Sequence, residues 1–149
     1  MRKNGFTLTE LVVVLVILGV LAAFAVPRFV RLEGQARAAA LEGTLGSMRA
    51  ASVLAHSQAL AQELASTDPI TMEGVNITMF NRYPDAPGMV DAANIVTSGD
   101  FQIQMFAADA FVIWAAGTPG WGSCGIAYVR SIPPGIPVPL FLGPNTGGC

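Results

Sequence analysis

Residues 11–26 read LVVVLVILGVLAAFAV, and residues 2–10 before them read RKNGFTLTE. The apolar run has no charge and no proline. Joined to Phe6–Glu10 it makes a helix of about 21 residues, roughly 31 Å at 1.5 Å per residue, matching a hydrocarbon core of about 30 Å. Arg2 and Lys3 precede it, and positive residues stay on the cytoplasmic side, so the chain is expected to run from the cytoplasm outward. Arg28 and Arg31 sit at the far end, but the flank of the first segment usually sets orientation. Glu10 is out of place in this run. A carboxylate in hydrocarbon costs on the order of 2.5 kcal/mol or more, and residues that carry such a cost usually have a partner.

Two simple readings compete for the segment. A secretory signal peptide would use the basic leader and the small-x-small site Ala23-Phe24-Ala25. Glu10 then lies inside what should be the apolar region, and cleavage would place Pro27 second in the product. A plain membrane anchor leaves Gly5 and Glu10 without a motive.

Beyond Val26, Pro27 removes a backbone hydrogen bond and is expected to kink a continuing helix. Helical spacing resumes after it. Leu41, Leu45, Met48, Ser52, Ala55 and Ala59 step by three or four, an apolar stripe on an amphipathic second half that runs to about Leu64 and ends at Asp68-Pro69. From Phe6 to Leu64 such a helix would measure about 88 Å, far more than a domain of this size can cover. Its first half must be buried in a membrane or in other subunits. From Thr71 the period becomes two: Val75, Ile77 and Met79 alternate with Asn76 and Thr78, and Phe101, Ile103 and Met105 with Gln102 and Gln104. Phe111–Ala115 and Ile126–Arg130 read as further strands, and Gly88–Ile95 as a short helix. The proline-rich tail suits a loop or an edge strand. The expected fold class is α+β, a long N-terminal helix on a small antiparallel sheet.

Composition narrows the chemistry. Net charge is −2, so no basic face is offered to nucleic acid. The one histidine, His56, lies between Ala55 and Ser57 on the helix, where a surface or helix-facing role fits, and it cannot build a multi-histidine metal site. The carboxylates are scattered, with no close pair for acid–base work. Gly117–Gly125 is glycine-rich but has neither a lysine nor a following helix, so it is no phosphate loop. Trp114 and Trp121 suit core and loop contacts. No catalytic residue, cofactor or metal is expected. The two cysteines, Cys124 and Cys149, fit neither a Cys-x-x-Cys nor a zinc spacing, and an even count in a chain that leaves the cytoplasm favours a disulfide. Closing that loop would remove chain entropy worth roughly 3–4 kcal/mol.

Lys3-Asn4-Gly5-Phe6-Thr7-Leu8-Thr9-Glu10, the apolar run with Gly19, and Pro27 together resemble the N-terminus of the type IV pilin and pseudopilin family. The resemblance is specific over about the first 30 residues and rests on architecture thereafter. It implies a leader (residues 1–5) that a prepilin peptidase removes between Gly5 and Phe6, with methylation of the new Phe6 amine. It implies a transmembrane and filament-core helix over 6–27 and a globular head over 28–149. It gives Glu10 a partner, since cleavage creates an amine with a pKa near 8, and a glutamate of one subunit can neutralise the Phe6 amine of another. Each charge is costly alone and tolerable as a pair that sets register. Gly19 and Pro27 both weaken a helix interior and bracket a stretch that related filaments unwind on assembly.

The partners implied are further copies of the chain, the prepilin peptidase, the inner-membrane assembly machinery, and the membrane before assembly. The location implied is the bacterial inner membrane and then an extracellular filament. Tyr83-Pro84 and Cys124–Val129 are similar to the mannose-sensitive haemagglutinin (MSHA) subgroup. The main secretion pseudopilin carries late acidic calcium ligands, whereas the last acidic residue here is Asp109. Three functions are therefore set against one another: a repeating filament subunit, a minor pilin or secretion pseudopilin with a binding or priming role, and a secreted hydrolase.

Overall fold

The computed structural model describes residues 6–96, 99–130 and 138–149. The chain divides into two compact units, Met1–Gln35 and Ala36–Cys149. Helix α1 (Leu8–Ala61, 54 residues) contributes to both.

In the first unit α1 carries the apolar run, and every described residue from Phe6 to Glu33 is exposed. Its most apolar window is long enough to cross a membrane and has none of its residues buried. Pro27 lies inside α1, and the helix continues through it unbroken. Pro27, which has no N–H to donate, is therefore accommodated without ending α1.

In the second unit α1 presents the stripe read from the sequence. Leu41, Leu45, Met48, Ser52, Ala55 and Ala59 are buried, joined by Ala51. The helix ends at Ala61, earlier than Leu64 and for a local reason. Glu63 takes the left-handed conformation (φ 51°), its N–H donates to Leu60 O at 3.1 Å, and Leu64 N–H donates to Ala59 O at 3.1 Å. This bond pair is a Schellman motif, and Leu64 packs against the cluster that holds Ala59, the apolar contact that accompanies such a stop. Glutamate stands where glycine is usual, so no glycine marked the end.

The single sheet expected from alternation is three. Strands β1 (Ile70–Met72) and β2 (Val75–Ile77) form one hairpin, and β3 (Met79–Phe80) and β4 (Tyr83–Pro84) a second. Both turns have two central residues at positive φ, Glu73-Gly74 and Asn81-Arg82, the mirror-image turn whose twist suits a tight hairpin. Of Val75, Ile77 and Met79 the last two are buried, and exposed Thr78 between them separates the hairpins, its carbonyl accepting from Asp85 N–H at 3.1 Å. Helix α2 (Ala86–Ala92) starts two residues before the expected Gly88 because Asp85 caps it, accepting from Gly88 N–H at 2.8 Å.

The main sheet is antiparallel in the order β5 (Phe101–Phe106), β6 (Ala110–Ala115), β7 (Gly125–Val129), β8 (Leu140–Asn145). The tail thus supplies an edge strand, the position in a sheet where a proline such as Pro144 is tolerated. Along α1 the contacts progress in order. Leu41 and Leu45 meet Ala115, Cys124 and Ile126; Met48 meets Phe111, Ile113 and Tyr128; Ala55 and Ala59 meet Ile70, Ile77 and Met79. The small residues fall where the β1–β2 hairpin approaches the helix. The architecture is α+β with a disulfide-closed C-terminal segment.

Candidate processing and assembly site

The start of α1 is built by three residues. Thr7 precedes the first helical residue, Leu8, and Glu10 stands three positions after Thr7. Glu10 Oε2 accepts from Thr7 N–H at 2.9 Å and from the Thr7 hydroxyl at 2.7 Å, while Glu10 N–H donates to Thr7 Oγ1 at 3.3 Å. This is a reciprocal capping box, which satisfies two of the donors a helix N-terminus leaves unpaired. The carboxylate also lies at the positive end of the helix dipole. Glu10 therefore has hydrogen-bond partners inside its own chain, in addition to the intersubunit amine that the family resemblance implies. The signal was present as Thr-x-x-Glu ahead of an apolar run. A helix cap gives Glu10 a local motive even in a plain anchor.

Phe6 is three-quarters exposed, directly before the cap. Gly5 and the rest of the leader lie outside the described residues. Gly19 and Pro27 are both helical in the single chain, and a Cβ built on Gly19 would meet open space. The structure places Phe6 directly before the Thr7–Glu10 cap and keeps Gly19 and Pro27 further along the same helix.

In the head, Cys124 and Cys149 are joined, with Cα atoms 4.9 Å apart. The bond ties the residue before β7 to the segment that follows β8, and Gly148 N–H donates to Ser123 O at 2.9 Å beside it. His56 has a structural setting. Its ring stacks on Tyr83 with centroids 4.0 Å apart, and its Nδ1 lies 2.9 Å from Arg82 O. Trp114 is half-buried on β6, and Trp121 is exposed in the turn region, its carbonyl accepting from Asn145 Nδ2 at 3.3 Å. Tyr128, fully buried, donates its hydroxyl to Pro84 O at 2.5 Å. Burial first, and the Asp85 charge second, push its phenol far above the usual tyrosine range, so it stays a neutral donor. Arg130 pairs with Asp109 and lies 4.0 Å over the Phe80 ring. Among the described residues no group of three His, Cys, Asp or Glu is placed to hold a metal ion.

Residues 1–26 match the prokaryotic N-terminal methylation motif. The chain is also similar to the type IV narrow pilus major component PilA5 of Thermus thermophilus, at 51% identity over 59 residues, covering 40% of this chain and 51% of that protein. The alignment therefore spans about half the length of the curated relative. No solved structure matches the chain. The family model ends at Val26 and does not bear on Tyr83-Pro84 or on Cys124–Val129, the residues behind the MSHA resemblance. By its first 26 residues, set at the head of an exposed apolar helix, the chain carries the prokaryotic N-terminal methylation motif.

Proposed function

We propose that this chain is the structural subunit of a type IV pilus or related surface filament, serving adhesion, aggregation or motility. The observation that carries the reading is the first unit of α1, an apolar helix with no residue of its most apolar window buried, opened by the methylation motif and a helix cap. A single chain cannot leave that much apolar surface in water. In the precursor the bilayer covers it, with the basic leader on the cytoplasmic side. In the filament other copies of α1 cover it.

The leader, residues 1–5, is removed after Gly5 by a prepilin peptidase, and Phe6 is methylated. The helix of residues 6–27 passes from lipid to the filament axis through the inner-membrane assembly machinery, and the head, residues 28–149, forms the outer surface. Glu10 neutralises the Phe6 amine of another copy and sets its register. The cap holds the Glu10 carboxylate at the helix end, where an incoming amine meets it. Gly19 and Pro27 supply the weak points if the helix unwinds in the filament. The similarity to a pilus major component supports this over a priming role.

Mass spectrometry of the sheared surface fraction is the test. An abundant chain beginning with N-methylated Phe6 is expected. A soluble chain beginning at Val26 would overturn the reading in favour of a conventional signal peptide.

A further inference from the structure

The head bears an open groove of about 420 Å³ between α1, the β1–β2 hairpin and the end of α2. Ala50, Leu54, Met72 and Val75 give it an apolar lining, and Glu73 and Asp91 give it charge. Leu54 is 60% exposed and Val75 46%, so large apolar side chains face solvent there. Both carboxylates are exposed, and neither is taken up by a salt bridge among the described residues. Residues 36–149 hold eight carboxylates against four arginines, so the groove sits on an acidic unit.

The complementary segment lies in the same sequence. Arg28-Phe29-Val30-Arg31-Leu32 is exposed along α1, with Phe29 at 70% and Leu32 at 57%. On a helix Arg28 and Arg31 form one ridge and Phe29 and Leu32 the next, because residues three apart share a face. A basic ridge beside an apolar ridge matches an apolar groove lined by two acids. We infer that this groove receives the Arg28–Leu32 segment of a second copy of the chain, Phe29 and Leu32 entering it and Arg28 and Arg31 meeting Asp91 and Glu73.

This contact rests on the filament reading above and extends it from the helix termini to the head. It gives the assembling helix a second, charge-selected address beyond the Phe6–Glu10 pair. Charge complementarity of this kind fixes register and excludes wrong alignments.

The test exploits the lysine count. Lys3 is the only lysine, so once the leader is gone the variant Arg31→Lys carries a single ε-amine per chain. Filaments of this variant are treated with a carbodiimide, which joins an amine to a carboxylate in contact with it. The expected result is a ladder of covalent multimers on a denaturing gel, with cross-linked peptides that join position 31 to Glu73 or to Asp91 identified by mass spectrometry. Filaments without such a ladder, or with the introduced lysine joined to another carboxylate, overturn the inference.

Charge exchange gives a second readout that does not depend on cross-linking. Arg31→Glu or Glu73→Arg alone should lower the yield of sheared filaments about tenfold, the factor equivalent to about 1.4 kcal/mol. The double exchange should restore it to within about twofold. Loss without rescue overturns the inference, and is the outcome if Arg28 and Arg31 serve only phospholipid headgroups. If the unaltered chain forms no filament at all, the filament reading fails and this contact falls with it.

Discussion

Thr7 and Glu10 hold each other across the first turn of α1, the carboxylate accepting from the Thr7 amide at 2.9 Å and the Thr7 hydroxyl receiving the Glu10 amide at 3.3 Å. The acid that looked misplaced in an apolar run is thus a helix cap in the single chain, and the filament proposed above would use it as a counter-charge. The two roles need different properties of the side chain. Capping needs an acceptor three residues after threonine, and charge pairing needs a formal negative charge.

Substitution separates these roles. Glu10→Gln keeps a side chain that can complete a capping box but has no charge to offer an amine. It is expected to insert and lose its leader normally and to give at least about tenfold fewer sheared filaments, the effect of losing about 1.4 kcal/mol of pairing. Thr7→Ala removes a cap worth about 1 kcal/mol and should leave filament yield within about threefold. Immunoblots of membrane and sheared fractions check both. Normal filaments from Glu10→Gln would refute the charge-pairing role.

The Cys124–Cys149 bond joins residues 25 positions apart and encloses edge strand β8. Replacing both cysteines by serine should cost about 3 kcal/mol, the loop-closure value for this length. Denaturant unfolding of the full chain in detergent, followed by near-ultraviolet circular dichroism, measures it. A loss below about 1 kcal/mol, far under the loop-closure value, would mean that β8 is held by its sheet bonds and apolar contacts alone.

Tyr128 reaches Pro84 across 44 positions of sequence, with its hydroxyl donating to that carbonyl. Tyr128→Phe leaves a buried carbonyl short of its donor and should cost about 1–3 kcal/mol. The phenol's folded pKa is raised, so its contribution is fully present below the unfolded tyrosine value of about 10 and is lost as pH rises toward and through the folded value. Stability of the native chain, measured from about pH 8 to about pH 11, should therefore fall once pH passes the unfolded tyrosine value. The fall should be shallower in Tyr128→Phe. Equal slopes would show that Tyr128 does not govern the alkaline limit.

Gly88, at the start of α2, faces the Thr78 carbonyl so closely that a Cβ would collide with the backbone. Gly88→Ala must push α2 off the β2–β3 junction and should cost about 1–3 kcal/mol, the usual range for overfilling a tight site. Gly19→Ala, where a Cβ meets only open space, should leave head stability unchanged. Melting curves of the two variants in detergent make the comparison, and equal midpoints would refute the steric argument.

Features with a local cause were legible. Period 3.6 marked the buried face of α1 from Leu41 to Ala59, because a helix brings residues three and four apart to one side whatever lies opposite. Alternation marked β5, apolar runs marked β6 and β7 within a residue or so, and the cysteine count pointed to the bond observed. The cap of Thr7 and Glu10 was equally local and open to the same reading. The stop at Glu63 was hidden, since a glutamate rarely adopts the left-handed conformation and the motif that holds it there depends on where Leu64 packs.

Residue order alone was enough to establish a membrane-length apolar helix at the start of the chain, its continuation as an amphipathic helix, and a small disulfide-closed β head. Each follows from patterns that repeat within a few positions or from a simple count. Folding was needed to split the sheet in three, to make Asp85 both a cap and a partner of Thr78, and to lock Pro84 under Tyr128. Folding also gathered Leu54, Glu73, Val75 and Asp91 around one groove. These relations join residues from separate elements of the chain, where side-chain periodicity carries no information and only the folded path of the backbone brings the atoms together.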